Sequence, residues 1–428
     1  MNILKAVLQN EVFPALGCTE PIAVAYAASL AARELGEPPD TIRITVDPGV
    51  YKNGLAVTVP NTGGERGNLM AGVLGALIKQ PELKMEILQG VTTDMIPRAR
   101  ALIQAQQATI RCDDAKKTLY IEVIAATPRH SARAVIEQSH TNLTRLEKDR
   151  QPIFRKAAAA AARGAQTYKA RLKQMRIADL IDCAEGLDAS DARYLQRGLA
   201  MNLRVAAAGQ TLRKVGYYLA NLLQKGYLVD DVVSSTKILA ASASDARMAG
   251  LNFPVMSSGG SGNQGIVAIL VPYQVGQYFH IPEPKILQSI ALSHLINSYI
   301  KCFTGDLSPL CGCAIAAGVG AAAAIVYQQS GKNMPRITLA VNNLISDLGG
   351  MLCDGAKGGC ALKIVSSTDA AIRSAYMALN DYGITEIEGF VGKTAEETID
   401  NLSRISAIGM ANVDATMLSI MKAKNAQT

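Results

Sequence analysis

The run "CAIAAGVGAAAAIVY" (313–327) carries no charge and little side-chain bulk. A helix that is apolar all round must be buried on every side, and this one is shorter than the roughly 20 residues a bilayer span requires. It therefore predicts a central helix in a helical body, where Ala and Gly let neighbouring helices approach closely. The remaining composition agrees, with 49% apolar and 18% charged residues and no Trp. At 428 residues the chain has room for a large core and a second lobe.

Residues 1–35 read as helix, with a start at Thr19-Glu20-Pro21 and a stop at Gly36 and Pro38. "TIRITVDPGVYKNGLAVTVPN" (41–61) alternates around two turn triplets and predicts two short strands. "GNLMAGVLGALIKQ" (67–80) returns to helix. Between about 84 and 152 the segments "KMEILQG", "ATIRC", "TLYIEVIAA" and "ARAVIEQSHTNLTRLEK" are β-rich, with one helix across "DMIPRARALIQAQ". After 155 helical patterns dominate, beginning with "FRKAAAAAARGAQTYKARLKQM". The expectation is an α+β fold: a predominantly helical catalytic body from residues 1–82 and 155–428, with a small inserted α+β lobe at 83–154.

The formal charge of +7 is concentrated between Arg129 and Arg176, where only Glu137, Glu147 and Asp149 oppose the Lys and Arg residues. Only Phe154 and Tyr168 interleave that run and no nucleic-acid-binding motif accompanies it, so it reads as a solvated basic face. The start "MNILKAVLQNEVFPALGC" reads as an amphipathic helix rather than a signal peptide. The expectation is a cytoplasmic protein without membrane or nucleic-acid partners, whose eight cysteines stay thiols or become metal ligands.

"VMSSGGSGNQG" (255–265) satisfies GxGxxG formally through Gly260, Gly262 and Gly265. The context fails, because "LNFPVM" contains a Pro before it and Glu283 sits between two prolines. No G-x-x-x-x-G-K-S/T phosphate loop is present, because Gly392-Lys393-Thr394 has Ile387 where that loop needs its first Gly. What survives is a seat of unpaired backbone N–H groups at a helix start, made by Ser257, Ser258, Gly259, Gly260, Ser261, Gly262 and Asn263. Such a seat accepts a substrate carboxylate as well as a phosphate; the alternative is a glycine turn at a helix crossing. A second candidate seat lies in "PNTGGERGN" (60–68), with Asn61, Thr62 and Arg66, and its alternative is a hairpin exit with a surface Arg.

Cys112, Cys183 and Cys302 read as small buried hydrophobes. Cys313, Cys353 and Cys360 differ in standing beside Gly-rich bends, in "PLCGCAIAAG" and "MLCDGAKGGC". Thiolates that hold an inorganic cluster need backbone able to approach it and to donate N–H bonds to its sulfides. His130, His140, His280 and His294 show no ligand spacing, so three thiolates point to iron–sulfur rather than zinc. Three ligands on a cubane leave one iron open as a Lewis acid.

The segments "MSSGGSGNQGI", "GCAIAAGVGAAAAIVY" and "MLCDGAKGGCALK" resemble the α-chain domain of iron–sulfur L-serine dehydratases. With "FPALGCTEPIAVAYAA" at the start, nearly the whole chain resembles the L-cysteine desulfidase branch of that superfamily. The resemblance implies Cys313, Cys353 and Cys360 as [4Fe–4S] ligands and Cys18 as catalytic base, with no pyridoxal phosphate. Cys311 stands as an alternative to Cys313, which the "GCxxxxGxxxAAA" pattern favours. No cysteine lies near the C-terminus to occupy the open iron, as one does in some serine dehydratases. Cys18 precedes the helix start, where the dipole favours a thiolate while Glu20 opposes it, so a modest shift is expected. Fourth cluster ligand and packing residue remain its alternatives.

The implied activity is β-elimination of L-cysteine to pyruvate, ammonia and hydrogen sulfide, by a homodimer. L-serine, or another β-substituted amino acid, is the alternative substrate. A non-catalytic iron–sulfur or zinc sensor is the alternative of another class.

Overall fold

The computed structural model describes residues 2–156, 168–305 and 308–425. Helix α1 (Ile3–Glu11) starts on Asn2, whose side chain accepts from the Lys5 N–H. Strand β1 (Pro14–Ala15) and helix α2 (Thr19–Leu35) follow, and α2 ends on left-handed Gly36. The chain then forms β2 (Thr41–Val46), α3 (Pro48–Gly54), α4 (Gly67–Ile78), a tight helical segment over Pro81–Gly90, and α5 (Met95–Gln104). Strands β3 (Ala108–Cys112), β4 (Tyr120–Ala126), β5 (Ser131–Glu137), β6 (Leu143–Lys148) and β7 (Gln151–Arg155) complete a six-stranded sheet of order β3-β2-β4-β5-β6-β7. Only the β2–β3 pair is parallel.

Two local expectations fail for identifiable reasons. The second strand expected within 41–61 is α3 instead, because the Asp47 carboxylate accepts from the Gly49 and Val50 N–H groups and Pro48 occupies the first turn. "KMEILQG" belongs to the tight helical segment rather than to a strand. The expected lobe of 83–154 also does not coincide with a packed unit. β2 is an inner strand, and one apolar core runs from Ala15 to Ile136, taking in α2, β2 and α4 with the sheet. Small residues make this possible: a Cβ on Gly75 of α4 would lie 2.1 Å from the Ala25 carbonyl oxygen of α2.

The later chain is a helical body, so the fold is a predominantly helical α+β fold. It comprises α6 (Ile177–Glu185), α7 (Ala189–Gly209), α8 (Val215–Gln224), α9 (Val232–Met248), strand β8 (Val255–Met256), α10 (Gly262–Tyr278) and α11 (Glu283–Thr304). These are followed by α12 (Ala316–Ser330), α13 (Met334–Leu348), α14 (Cys360–Leu379), α15 (Ala395–Arg404) and α16 (Val413–Asn425). The Ala/Gly run forms α12, buried at every residue from Ala316 to Gln328 and packed among α10, α11, α13 and α14. Of the helix expected over 154–175, residues 157–167 lie outside the described residues, while 168–174 are helical.

Strand β8 is two residues long and pairs antiparallel with β1. The glycine stretch therefore enters α10 without the parallel strand a dinucleotide site needs. Among the described residues no helix is long and apolar enough to cross a membrane.

Candidate active site

Two thiol-bearing loops are zipped together by backbone bonds. Leu310 and Leu352 form an antiparallel bridge, the Cys311 N–H donates to Met351 O at 2.8 Å, and the Cys353 N–H donates to Pro309 O at 2.7 Å. Cys360 opens α14. Gly355, at φ +91°, lets its loop lie against α3, where a Cβ would stand 2.5 Å from Lys52 O. The Ala356 N–H donates to Asn53 O at 3.2 Å.

These loops form one wall of a cavity of about 90 Å³, which Cys311, Cys313, Cys353 and Cys360 all line. Cys18, Glu20 and Asn53 line it from α2 and α3, and His140 reaches it from the β5–β6 turn. Arg247, Gly260, Ser261, Asn263, Gln264, Lys301 and Lys363 are further lining residues. Cys18, Val57 and Met248 form a small apolar cluster, with Ala356 and Cys360 packed against it.

The sequence-predicted residues divide clearly. Cys18, Gly260, Ser261, Asn263, Cys313, Cys353 and Cys360 line the cavity. The rest of the first glycine seat is structural. Ser257 Oγ donates to Glu11 O and accepts from the Phe13 N–H, Ser258 Oγ is bonded by His294 and Asn297, and Gly259 O accepts from Lys301 Nζ. Gly262 leaves space for Arg247.

The second seat is not at the cavity, which corrects the reading of Asn61, Thr62 and Arg66. Asn61 donates to Leu88 O, Thr62 donates to Val59 O, and Arg66 is an exposed residue preceding α4. Cys112, Cys183 and Cys302 lie outside the cavity lining.

The Cys18 thiol donates to Glu20 Oε2 at 2.9 Å, and Asn53 Nδ2 donates to Glu20 Oε1 at 3.1 Å. His140 Nε2 stands 3.9 Å from Glu20 Oε1, within ion-pair range and beyond a hydrogen bond. Burial opposes charge on Glu20, but His140, the Cys18 thiol and Asn53 outweigh it and hold the carboxyl well below its usual range. Burial and the Glu20 carboxylate push the Cys18 thiol well up, against a smaller pull from Arg247. The modest shift expected from the helix start alone is not what this pair shows.

Among the cavity thiols, the hydrogen bond between Cys311 and Cys313 lowers the first and, with burial, raises the second. The pair therefore releases one proton readily and holds the other. Burial and neighbouring Cys311 push Cys353 up to about 11.

Arg247 is buried, yet its Nε and Nη2 have no hydrogen-bond partner. Sequence reasoning missed Arg247, His140, Asn53 and Gln264. The signal for Arg247 was a single cation inside the Ala/Ser-rich stretch "LAASASDARMAG".

Among the described residues no three His, Cys, Asp or Glu side chains are grouped as around a single metal ion. The donor chemistry nevertheless fits an iron–sulfur cluster. Cys313, Cys353 and Cys360 face one cavity from Gly-flanked backbone, and a cubane's ligands stand farther apart than those of one ion.

Residues 82–419 match the family described as serine dehydratase alpha chain, a span that includes the thiol and glycine loops and excludes Cys18, Glu20 and Asn53. A UPF0597 protein of Geobacter sulfurreducens is 62% identical over 424 residues, covering 99% of both chains. UPF0597 proteins of Elusimicrobium minutum and Clostridium tetani are 54% and 39% identical, covering 99% and 98% of this chain and 100% and 98% of theirs. No solved structure matches the chain significantly. The chain belongs to the serine dehydratase alpha-chain family.

Proposed function

We propose that the protein is a lyase that eliminates the β-substituent of a small L-amino acid, with L-cysteine as substrate and pyruvate, ammonia and hydrogen sulfide as products. One observation carries this reading: the Cys18–Glu20 pair lines the same small cavity as Cys313, Cys353 and Cys360. Those three thiolates would hold a [4Fe–4S] cluster, which would supply a Lewis acid for the departing sulfur.

Cys18 is the base. Beside the Glu20 carboxylate it is a neutral thiol hydrogen-bonded to Oε2, so its ionisation requires positive charge nearby. The substrate's ammonium, held against the Glu20 carboxylate, brings that charge, and the thiol proton passes to solvent. The thiolate then takes the Cα proton, the Cβ–S bond breaks, and HS⁻ leaves. The aminoacrylate tautomerises to an imine, and water releases pyruvate and ammonia.

One cavity brings Cys18 and the thiol wall together, which holds the reacting atoms close. L-Serine is the second reading, which the serine dehydratase match favours. A pocket of this size separates OH from SH weakly. A sensor needs neither a base nor an unpaired Arg in its cavity.

The test is anaerobic cluster reconstitution followed by separate assays of pyruvate and sulfide from L-cysteine and from L-serine. The expected result is both products from L-cysteine. Pyruvate from L-serine alone assigns the dehydratase, and no pyruvate from either overturns the lyase reading.

A further inference from the structure

Arg247, in the last turn of α9, is 3% exposed and is one of the residues lining the cavity. Its Nε and Nη2 are buried without a partner, and no carboxylate among the described residues stands within ion-pair distance of it. Buried charges in proteins are ordinarily paired, so an unpaired guanidinium at a cavity wall marks a place for an anion. Nε and Nη2 form the side edge of the guanidinium, two parallel N–H donors spaced for the two oxygens of one carboxylate.

The place of this edge is built rather than incidental. A Cβ on residue 262 would lie 2.3 Å from Arg247 Nε, so the glycine at the start of α10 is what lets the guanidinium lie there. Ser261 and Asn263, on either side of that glycine, line the same cavity. Cys18 and Glu20 line it as well, placing a base and an anionic partner for an ammonium near the same ligand.

We propose that Arg247 seats the α-carboxylate of the substrate and thereby restricts the site to small α-amino acids with a free carboxylate group. Arg247 takes the role that the sequence offered to Arg66. Carboxylate at Arg247, ammonium at Glu20 and Cα proton toward Cys18 give three points of attachment, enough to select one enantiomer. The inference deepens the lyase reading, and it can stand or fall separately from it.

The experiment uses L-alanine, which has the α-carboxylate and ammonium and no β leaving group, and L-alaninamide, in which the carboxylate is neutralised. Binding and melting temperature are measured on the full chain with and without cluster reconstitution. L-Alanine should bind and raise the melting temperature, L-alaninamide should not, and D-alanine should bind more weakly. Arg247→Met should abolish the L-alanine effect while leaving the unliganded melting temperature equal or higher, because it removes an unpaired buried charge. Arg247→Lys should weaken L-alanine binding by at least about tenfold and raise KM for L-cysteine more than it lowers kcat.

Equal binding of the two probes, no binding of L-alanine in either preparation, or retained binding in Arg247→Met overturns the proposal. If Arg247→Met does not fold, Arg247 is structural unless Arg247→Lys shows the selective loss for L-alanine. Carboxylate-dependent binding through Arg247 in a protein that yields no pyruvate would keep the seat and refute the lyase.

Discussion

His294 shows what burial does to a side chain that the cavity does not use. Its ring is fully buried in α11, with Nδ1 2.8 Å from Ser258 Oγ, which in turn accepts from Asn297 Nδ2 at 3.0 Å. Nδ1 and Ser258 Oγ share one hydrogen bond, and burial pushes the imidazole down to about 3 from its ordinary 6.5. An unfolded chain takes up a proton that the folded one refuses, so this contribution is present above pH 6.5 and is lost as pH falls toward 3. Urea midpoints between pH 7 and 4 should fall by the equivalent of a few kcal/mol, and His294→Gln should flatten that dependence. Cys18 makes a different demand. Cys18→Ala should lower kcat by about a hundredfold or more while leaving cluster absorbance intact. Loss of the absorbance would make Cys18 a ligand instead. The five cysteines that line the cavity were legible because each sits in a short, glycine-marked local pattern. Arg247, His140 and Asn53 were not, because each is an ordinary residue whose meaning arises only when distant elements meet.

At the level of elements, crossing distances decide where functional groups stand. α2 carries Cys18 and Glu20 at its start, and α4 packs on it through Gly75. Gly75→Ala should cost about 1–3 kcal/mol, read as a lower urea midpoint, because the new methyl meets the backbone carbonyl of Ala25 rather than a movable side chain. The helices themselves were readable from apolar patterning, including the buried α12. α3 was not, because the Asp-Pro-Gly triplet reads equally as a turn, and only the use of the Asp47 side chain as a cap selects helix. α3 also holds Lys52, 2% exposed, whose ammonium lies 2.6 Å from Asp414 of α16, itself one-third exposed. Asp414→Ala leaves that lysine buried without its partner. It should destabilise the protein by about 1–3 kcal/mol, less than for a fully buried pair, and Lys52→Met with Asp414→Ala should recover most of the loss.

Over the whole molecule, one packed core spans Ala15 to Ile136, while a second joins α1 to the later helices. The predominantly helical α+β character was legible from composition and periodicity. The extent of the first core was not, because the place of β2 inside the sheet is a long-range pairing. The cavity lies where the two cores meet: Cys18, Glu20 and His140 belong to the first side, and Arg247 and the thiol loops to the second. The small cluster of Cys18, Val57 and Met248, with Cys360 against it, is the apolar bridge between them. The β1–β8 pair, Ala356 on Asn53 and Lys52 on Asp414 also cross this seam, and the proposed iron–sulfur centre would sit behind those local contacts rather than within either core. Mild denaturant should bleach the reconstituted protein before its helical circular dichroism changes. Air and loosening would then act together, each opening the way for the other, while the helices around α12 remain intact.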